Sequence, residues 1–221
     1  PIVAEEVLSG RTNKGFRQER CSVPSQYVGA TFLDVGGYSS RPGATDILQQ
    51  EEINRVVPAI TAIIREFPEA LISVDTFRSE VAKQAVEAGA CMVNDISAGK
   101  LDSKMLETIG ALQAPYIMMH MRGTPQTMKT LTEYQNITKQ VLFYFSERIA
   151  AARAHNINDI IVDPGFGFAK NTDQNFELLN HLELFETLDL PVLAGVSRKS
   201  MVYKTLDVSA KQALNGTTAL H

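Results

Sequence analysis

Four polar residues, Asp34, Asp75, Asn94 and Asp163, each close a short apolar run of this chain. A carboxylate accepts two parallel N–H bonds, and an amide both donates and accepts. Asp75, Asn94 and Asp163 gathered into one pocket would therefore suit a flat heterocycle that carries ring N–H, amino and carbonyl groups. Any one of them alone is equally an ordinary strand end or helix cap, and Asp95 reads as a cap of that kind. Their recurrence on separate runs favours the shared pocket.

Three loops add complementary chemistry. Asp34–Ala44 reads DVGGYSSRPGA, in which Gly36 and Gly37 permit a sharp exit from the run. Ser39, Ser40 and Arg41 then offer hydroxyls and a forked cation suited to a carboxylate or phosphate. The Gly-Phe-Gly-Phe segment ending at Phe168 follows Asp163-Pro164; its glycines let backbone approach a ligand and its rings can wall one. Phe166 fits a plain hydrophobic loop as well. Ser197-Arg198-Lys199-Ser200 puts hydroxyls, cations and free backbone N–H groups at a helix start, where an ordinary start has no need of Lys199. His120, between Met119 and Met121, reads as a hydrogen-bonded core residue, and no His, Cys or Glu spacing suggests zinc. Ser197 lacks the flanking glycines of a nucleophile elbow, so a serine triad has little support.

The elements that must position these groups follow from the periodicity. Six apolar runs, Thr31–Leu33, Leu71–Val74, Cys91–Val93, Tyr116–Met119, Ile160–Val162 and Pro191–Val196, read as strands. Helical spacing falls between them, over Glu51–Phe67, Ser79–Ala88, Asp102–Leu112, Tyr134–His155 and Thr172–Leu188, then over Lys199–Leu206 and Ala210–His221. Pro58 is expected to interrupt and kink the first helix, and Gly89 to stop the second. Strand alternating with helix gives a parallel α/β sheet, and the polar strand ends point to a TIM (β/α)8 barrel, whose chemistry sits at the carboxyl rim. An open doubly wound sheet is the alternative, without its usual glycine fingerprint. About six of the eight strands are recognisable, so the barrel is expected to be incomplete.

At 221 residues, 44% hydrophobic and 21% charged, the chain suits one globular α/β domain. A net charge of −4 argues against general nucleic-acid or membrane-surface binding. Two cysteines are too few for a disulfide framework, and Cys91 is expected to be a buried free thiol. No apolar stretch is long enough to span a bilayer, and no secretory signal opens the chain. Cytoplasmic localisation is the default expectation. Residues 1–29 stand apart as an atypical segment, disordered or out of frame, ahead of a barrel domain over 30–221 that is truncated at its C-terminus.

Taken together, the loop Asp34–Ala44, the endings Ser-Val-Asp75-Thr76 and Val-Asn94-Asp95-Ile96, Met119-His120-Met121, the Asp163–Phe168 segment and Gly195-Val-Ser-Arg-Lys199-Ser200 resemble the dihydropteroate synthases, in order, from about Ala30 to Leu220. The wording is similar to the Bacteroidetes branch. The resemblance implies a transferase of folate biosynthesis. It would join a pterin bearing a methylene diphosphate to 4-aminobenzoate, giving 7,8-dihydropteroate and diphosphate, with sulfonamides as competitors. It implies pterin binding by Asp75, Asn94, Ile96, Met119, Asp163, Gly195 and Lys199. It implies aminobenzoate binding by Ser40, Arg41, Pro42, Phe168, Ser197 and Lys199. No covalent nucleophile is expected. Mg²⁺ and a homodimer are further family expectations.

The departures from the family are in its first loop, whose metal-binding Asn has no counterpart in residues 1–29, and in its last strand, which His221 does not supply. Ala169 stands where the family usually has Gly, a small change. Two other readings stay open: a methyltetrahydrofolate-type pterin-binding methyltransferase domain, and a non-catalytic pterin-binding remnant.

Overall fold

Short runs rich in Val, Ile, Leu and Met, each followed by a helix, give this chain its parallel sheet. In the computed structural model, which describes residues 30–40 and 45–220, the strands are β1 (Phe32–Gly36), β2 (Leu71–Asp75), β3 (Met92–Asp95), β4 (Tyr116–Met119) and β5 (Ile160–Asp163). They pair in sequence order, all parallel. The helices are α1 (Gln49–Glu66), α2 (Ser79–Glu87), α3 (Met105–Leu112), α4 (Ile137–Ala154), α5 (Thr172–Asn180), α6 (Ser200–Thr205) and α7 (Leu214–Leu220).

The expected sixth strand is reduced to a bridge. Val192 pairs with Val162, with Val162 N donating to Pro191 O at 3.0 Å and Leu193 N to Val162 O at 2.9 Å. Pro191 has no N–H to extend the ladder. Five strands and one bridge therefore replace the expected six, and among the described residues the sheet does not close.

Two helices also differ from expectation. Pro58 does not interrupt α1, which runs through it; the ring is exposed, so the carbonyl it deprives of a partner can face water. The segment expected as one helix over Thr172–Leu188 ends as α5 at Asn180 and continues as 3-10 turns over Leu182–Leu188. The start of α5 is fixed by a capping box: Asn171 Oδ1 accepts from Gln174 N, and Gln174 Oε1 from Asn171 N. Gly89, at φ 117°, follows the C-cap of α2 as expected. Cys91 is exposed rather than buried, because it precedes β3 instead of lying within it.

Alternation along the strands sorts the side chains into two sets. Ile72, Val74, Val93, Tyr116, Met118 and Val162 face outward into the core shared with Ile60, Ala82, Ile109 and Phe145 of the helices. Met92, Ile117 and Leu193, with Phe32 and Ile161, form a separate inner plug. No helix among the described residues is long and apolar enough to cross a membrane.

Candidate pterin site at the strand ends

The inner plug fixes what lies above it. Side chains two residues apart on a strand share a face, so each plug residue predicts the next inward group. Phe32 leads to Asp34, Met92 to Asn94, Ile117 to Met119, Ile161 to Asp163 and Leu193 to Gly195. On β2 the register sets Ser73 beside Asp34 and Asp75 beside Gly36, with Asn94 on the far side of Asp75. The rim of the sheet is thus a polar layer on an apolar floor. Gly36 keeps it open: a Cβ there would stand 3.3 Å from Asp75 Cβ and 3.4 Å from Asp75 Oδ2.

Five of the residues expected to bind pterin, Asp75, Asn94, Met119, Asp163 and Gly195, fall in this layer. Ile96 and Met119 pack in one apolar cluster with Met121, Met128 and Ala169, flanked by Phe77 and Phe168. Lys199 caps the N-terminus of α6, and its Nζ lies 5.3 Å from the centroid of the Phe168 ring. It also acts on Asp163, whose carboxyl is pushed up by burial and pulled back by Lys199, by the Gly165 N–H and by Lys170. Asp163 Oδ1 accepts from Gly165 N at 2.7 Å, which ties the strand end to the aromatic loop. Burial and Lys199 therefore act on one carboxylate, and Lys199 lies over the Phe168 ring.

The expected aminobenzoate side is less assembled. Phe168 and Lys199 adjoin, whereas Ser197 is exposed and no hydrogen bond joins it or Ser40 to them among the described residues. Arg41 and Pro42 lie outside the described residues, as do residues 1–29 and His221. Nearby, Tyr38 packs edge-on to Phe77 with centroids 5.0 Å apart, and its hydroxyl accepts from Gln126 Nε2 at 2.7 Å.

Three residues matter here to which the sequence reading assigned no binding role. Asp34, read there as the entrance to a loop, is buried in the polar layer and accepts from Asn94 Nδ2 at 3.1 Å. Burial pushes its carboxyl up to about 6; Ser73 and Asn94 oppose that shift, and Asp163 adds to it. Ser73 is close enough to lower the value, yet neither Ser73 Oγ nor Asp34 Oδ1 has a partner at hydrogen-bonding geometry. The signal for Asp34 was its place two residues after Phe32. Lys170 is buried and donates to the carbonyls of Gly165 and Phe168, both at 2.9 Å, and of His120 at 3.4 Å. Nothing in its local sequence marks it. Arg78 holds buried Glu52 at 2.7 Å and Ile47 O at 2.7 Å, while Thr76 Oγ1 donates to Glu52 at 2.7 Å. That latch ties the β1 exit loop to the ends of β2 and α1.

Two other polar residues are structural. Asp95 caps no helix. Its carboxylate organises the turn after β3, accepting from Ser97 N, Ser97 Oγ, Gly99 N and Tyr116 OH at 2.6 to 2.7 Å. His120 is buried as expected, but its Nδ1 lacks the expected hydrogen bond; its ring packs edge-on to Tyr144 at 4.8 Å. Burial, with Lys170, Arg122 and Lys100 near, holds it well below the usual imidazole range, so it is neutral. A hollow of about 360 Å³ lies beside Lys100, His120, Arg122 and Glu147, with no residue of the strand-end layer in its lining. The polar layer is the better candidate site because its groups converge; around the hollow, Lys100 lies over the Tyr144 ring and Arg122 over that of Tyr134.

Comparison with known proteins agrees with this geometry. The sequence profile of the pterin binding enzymes matches residues 25–221. A dihydropteroate synthase of Synechocystis sp. is 43% identical over 194 residues, covering 86% of this chain and 67% of that protein. The Yersinia pestis dihydropteroate synthase, solved in complex with a sulfonamide drug, superposes with a TM-score of 0.83 at 38% identity, over 87% of this chain and 70% of that one. The Xanthomonas albilineans enzyme, solved with 4-aminobenzoic acid, gives 0.81 at 38% identity, over 87% and 69%. With the profile spanning nearly all of the described fold and the identities well above what fold alone requires, this chain belongs to the pterin binding enzyme family, alongside its dihydropteroate synthases.

Proposed function

We propose that this chain acts as a dihydropteroate synthase, and that the strand-end layer is its pterin pocket. The observation that carries the reading is the inward convergence of Asp34, Asp75, Asn94 and Asp163 above an apolar floor, with Lys199 at the lip. A pterin ring presents amino and N–H donors along one edge, which the carboxylates accept, and a carbonyl that suits a lysine or amide donor. Ile96, Met119 and Phe168 supply faces against which the ring can lie. Relatives solved with a sulfonamide drug and with 4-aminobenzoic acid support aminobenzoate as co-substrate and sulfonamides as competitors; in this reading Phe168, Lys199, Ser197, Ser40, Arg41 and Pro42 bind them.

The aminobenzoate nitrogen attacks the methylene carbon on C6 of the pterin. The new C–N bond forms as the C–O bond to diphosphate breaks; that electron pair leaves with diphosphate, and the amine proton is lost to solvent. No side chain need form a covalent intermediate, so the chain contributes positioning and electrostatic stabilisation. The Lys199 ammonium beside Asp163 fixes one end of the ring, and the short Gly165–Phe168 loop excludes water from it. Mg²⁺, implied by the resemblance, would be held largely by the diphosphate. Among the described residues no group of three His, Cys, Asp or Glu fits an ion, so no step is derived through it. A cytoplasmic homodimer is part of the same reading.

Calorimetry with 6-hydroxymethyl-7,8-dihydropterin, paired with an assay for diphosphate release from its diphosphate ester in the presence of 4-aminobenzoate, tests it. Binding with turnover is expected, and both are expected to fail in Asp163→Ala and Lys199→Met. Binding without turnover would instead favour the non-catalytic reading, and a cooperatively folded chain that binds no pterin would end both.

A further inference from the structure

Asn94 and Asp34 are 60 residues apart in sequence, yet the side-chain amide of one donates to the carboxylate of the other at 3.1 Å. An ionised carboxylate only accepts, so it can face only the Nδ2 end of an amide. Asn94 therefore has Oδ1 as the group it can turn to the pocket. A protonated Asp34 has a donor of its own and can hold Asn94 either way round. Resting on the pterin reading, we propose that Asp34 is a positioning residue that fixes the amide orientation of Asn94, so that Asn94 reads an N–H edge of the heterocycle rather than a carbonyl.

The surroundings of Asp34 explain how it can do this. Ser73 of β2, Asn94 of β3 and Asp163 of β5 are the polar groups facing it, and Lys199 and Lys170 act on Asp163 rather than on Asp34. Phe32 and the rest of the inner plug close the space beneath. One oxygen of Asp34 is held by Asn94, and the other has Ser73 nearby but no partner at hydrogen-bonding geometry. Its carboxyl, raised to about 6, changes charge within the range where folded protein can be assayed.

A double-mutant cycle on the full chain tests the coupling, with 6-hydroxymethyl-7,8-dihydropterin as probe. Asp34→Ala and Asn94→Ala are each expected to weaken binding about tenfold, the size of one lost hydrogen bond to a charged or buried group. The double variant is expected to bind about as well as either single variant, because Asp34 acts through Asn94. Effects that multiply overturn the inference. The wild type is also expected to lose affinity as pH falls through about 6, a step that Asp34→Asn lacks; an unchanged profile in that variant overturns the inference too. If the variants do not fold, side-chain NMR of the wild type replaces them: the Asn94 amide is expected to titrate together with the Asp34 carboxyl, and independent titration overturns the idea. A folded wild type that binds no pterin removes the functional reading and this inference with it. Binding by the wild type with multiplicative variants removes the inference alone.

Discussion

Lys170 Nζ donates to Gly165 O at 2.9 Å across the loop that carries Phe168. With Phe168 O and His120 O it has three carbonyl acceptors, one for each N–H of an ammonium. Burial pulls Lys170 well below the ordinary lysine range, and Asp163 pulls it back. The loop is thus pinned from beneath by the buried Lys170 nitrogen. Lys170→Met removes this donor from all three carbonyls, leaving Gly165 O only the Phe168 N–H, and is expected to cost on the order of 3 kcal/mol. Urea unfolding measures it, and hydrogen exchange at Gly165 and Gly167 should quicken. A loss under about 1 kcal/mol would show the cation to be dispensable.

Ala169 has φ 49°, the left-handed region, and is buried with its carbonyl accepting from Tyr134 OH at 3.0 Å. A side chain at this position thus imposes backbone strain. A Cβ in that region costs roughly 1–2 kcal/mol, partly offset by the greater freedom of an unfolded glycine. Ala169→Gly is expected to stabilise the chain by about 1 kcal/mol. A thermal midpoint that falls in this variant would contradict the account.

Arg78 supplies the cationic partner of Glu52, a carboxylate with no exposure, and also bonds Ile47 O. Removing one partner of a buried pair leaves an uncompensated charge, which costs about 3–5 kcal/mol. Arg78→Met is expected to lose that much, and adding Glu52→Gln should recover part of it, since the amide can still accept from Thr76. Without recovery, lost stacking of the Arg78 guanidinium on Tyr38 and Phe77 is the better cause.

The strand ends were legible because alternation and burial act locally. Asp75, Asn94 and Asp163 each end a run whose neighbours leave them no other inward position. The bridge at Val192 was misread as a full strand because apolarity marks burial, while pairing depends on the donor that Pro191 lacks. Lys170 and Arg78 were not legible at all. Their partners are carbonyls and a carboxylate brought near by tertiary folding, and a lone cation in a sequence carries no trace of them. Asp34 was half legible: its position was read, but the contact with Asn94 needs two strands that are not adjacent.

Asp34 also sets a cost that the site imposes on the fold. Its folded value of about 6 lies above the ordinary 3.8, so the native state binds the proton more tightly than the unfolded chain. Whatever stability Asp34 supports is complete below the unfolded value and is lost as pH rises through the folded one. At neutral pH the ionised, buried carboxylate therefore costs on the order of 3 kcal/mol. Asp34→Asn removes the charge and keeps the shape, so it should match the wild type near about pH 4 and exceed it by roughly 2–3 kcal/mol near about pH 7.5. Asp163, Asp95 and Glu52 are also raised by burial, so the wild type alone cannot isolate this term. The difference between the two proteins does so, because those groups stand in both. Urea unfolding across that range measures it. A difference that stays constant with pH would mean that Asp34 is already relieved of its charge or of its burial, whereas a growing difference, paired with weaker pterin binding, identifies a carboxylate kept for recognition at the expense of stability.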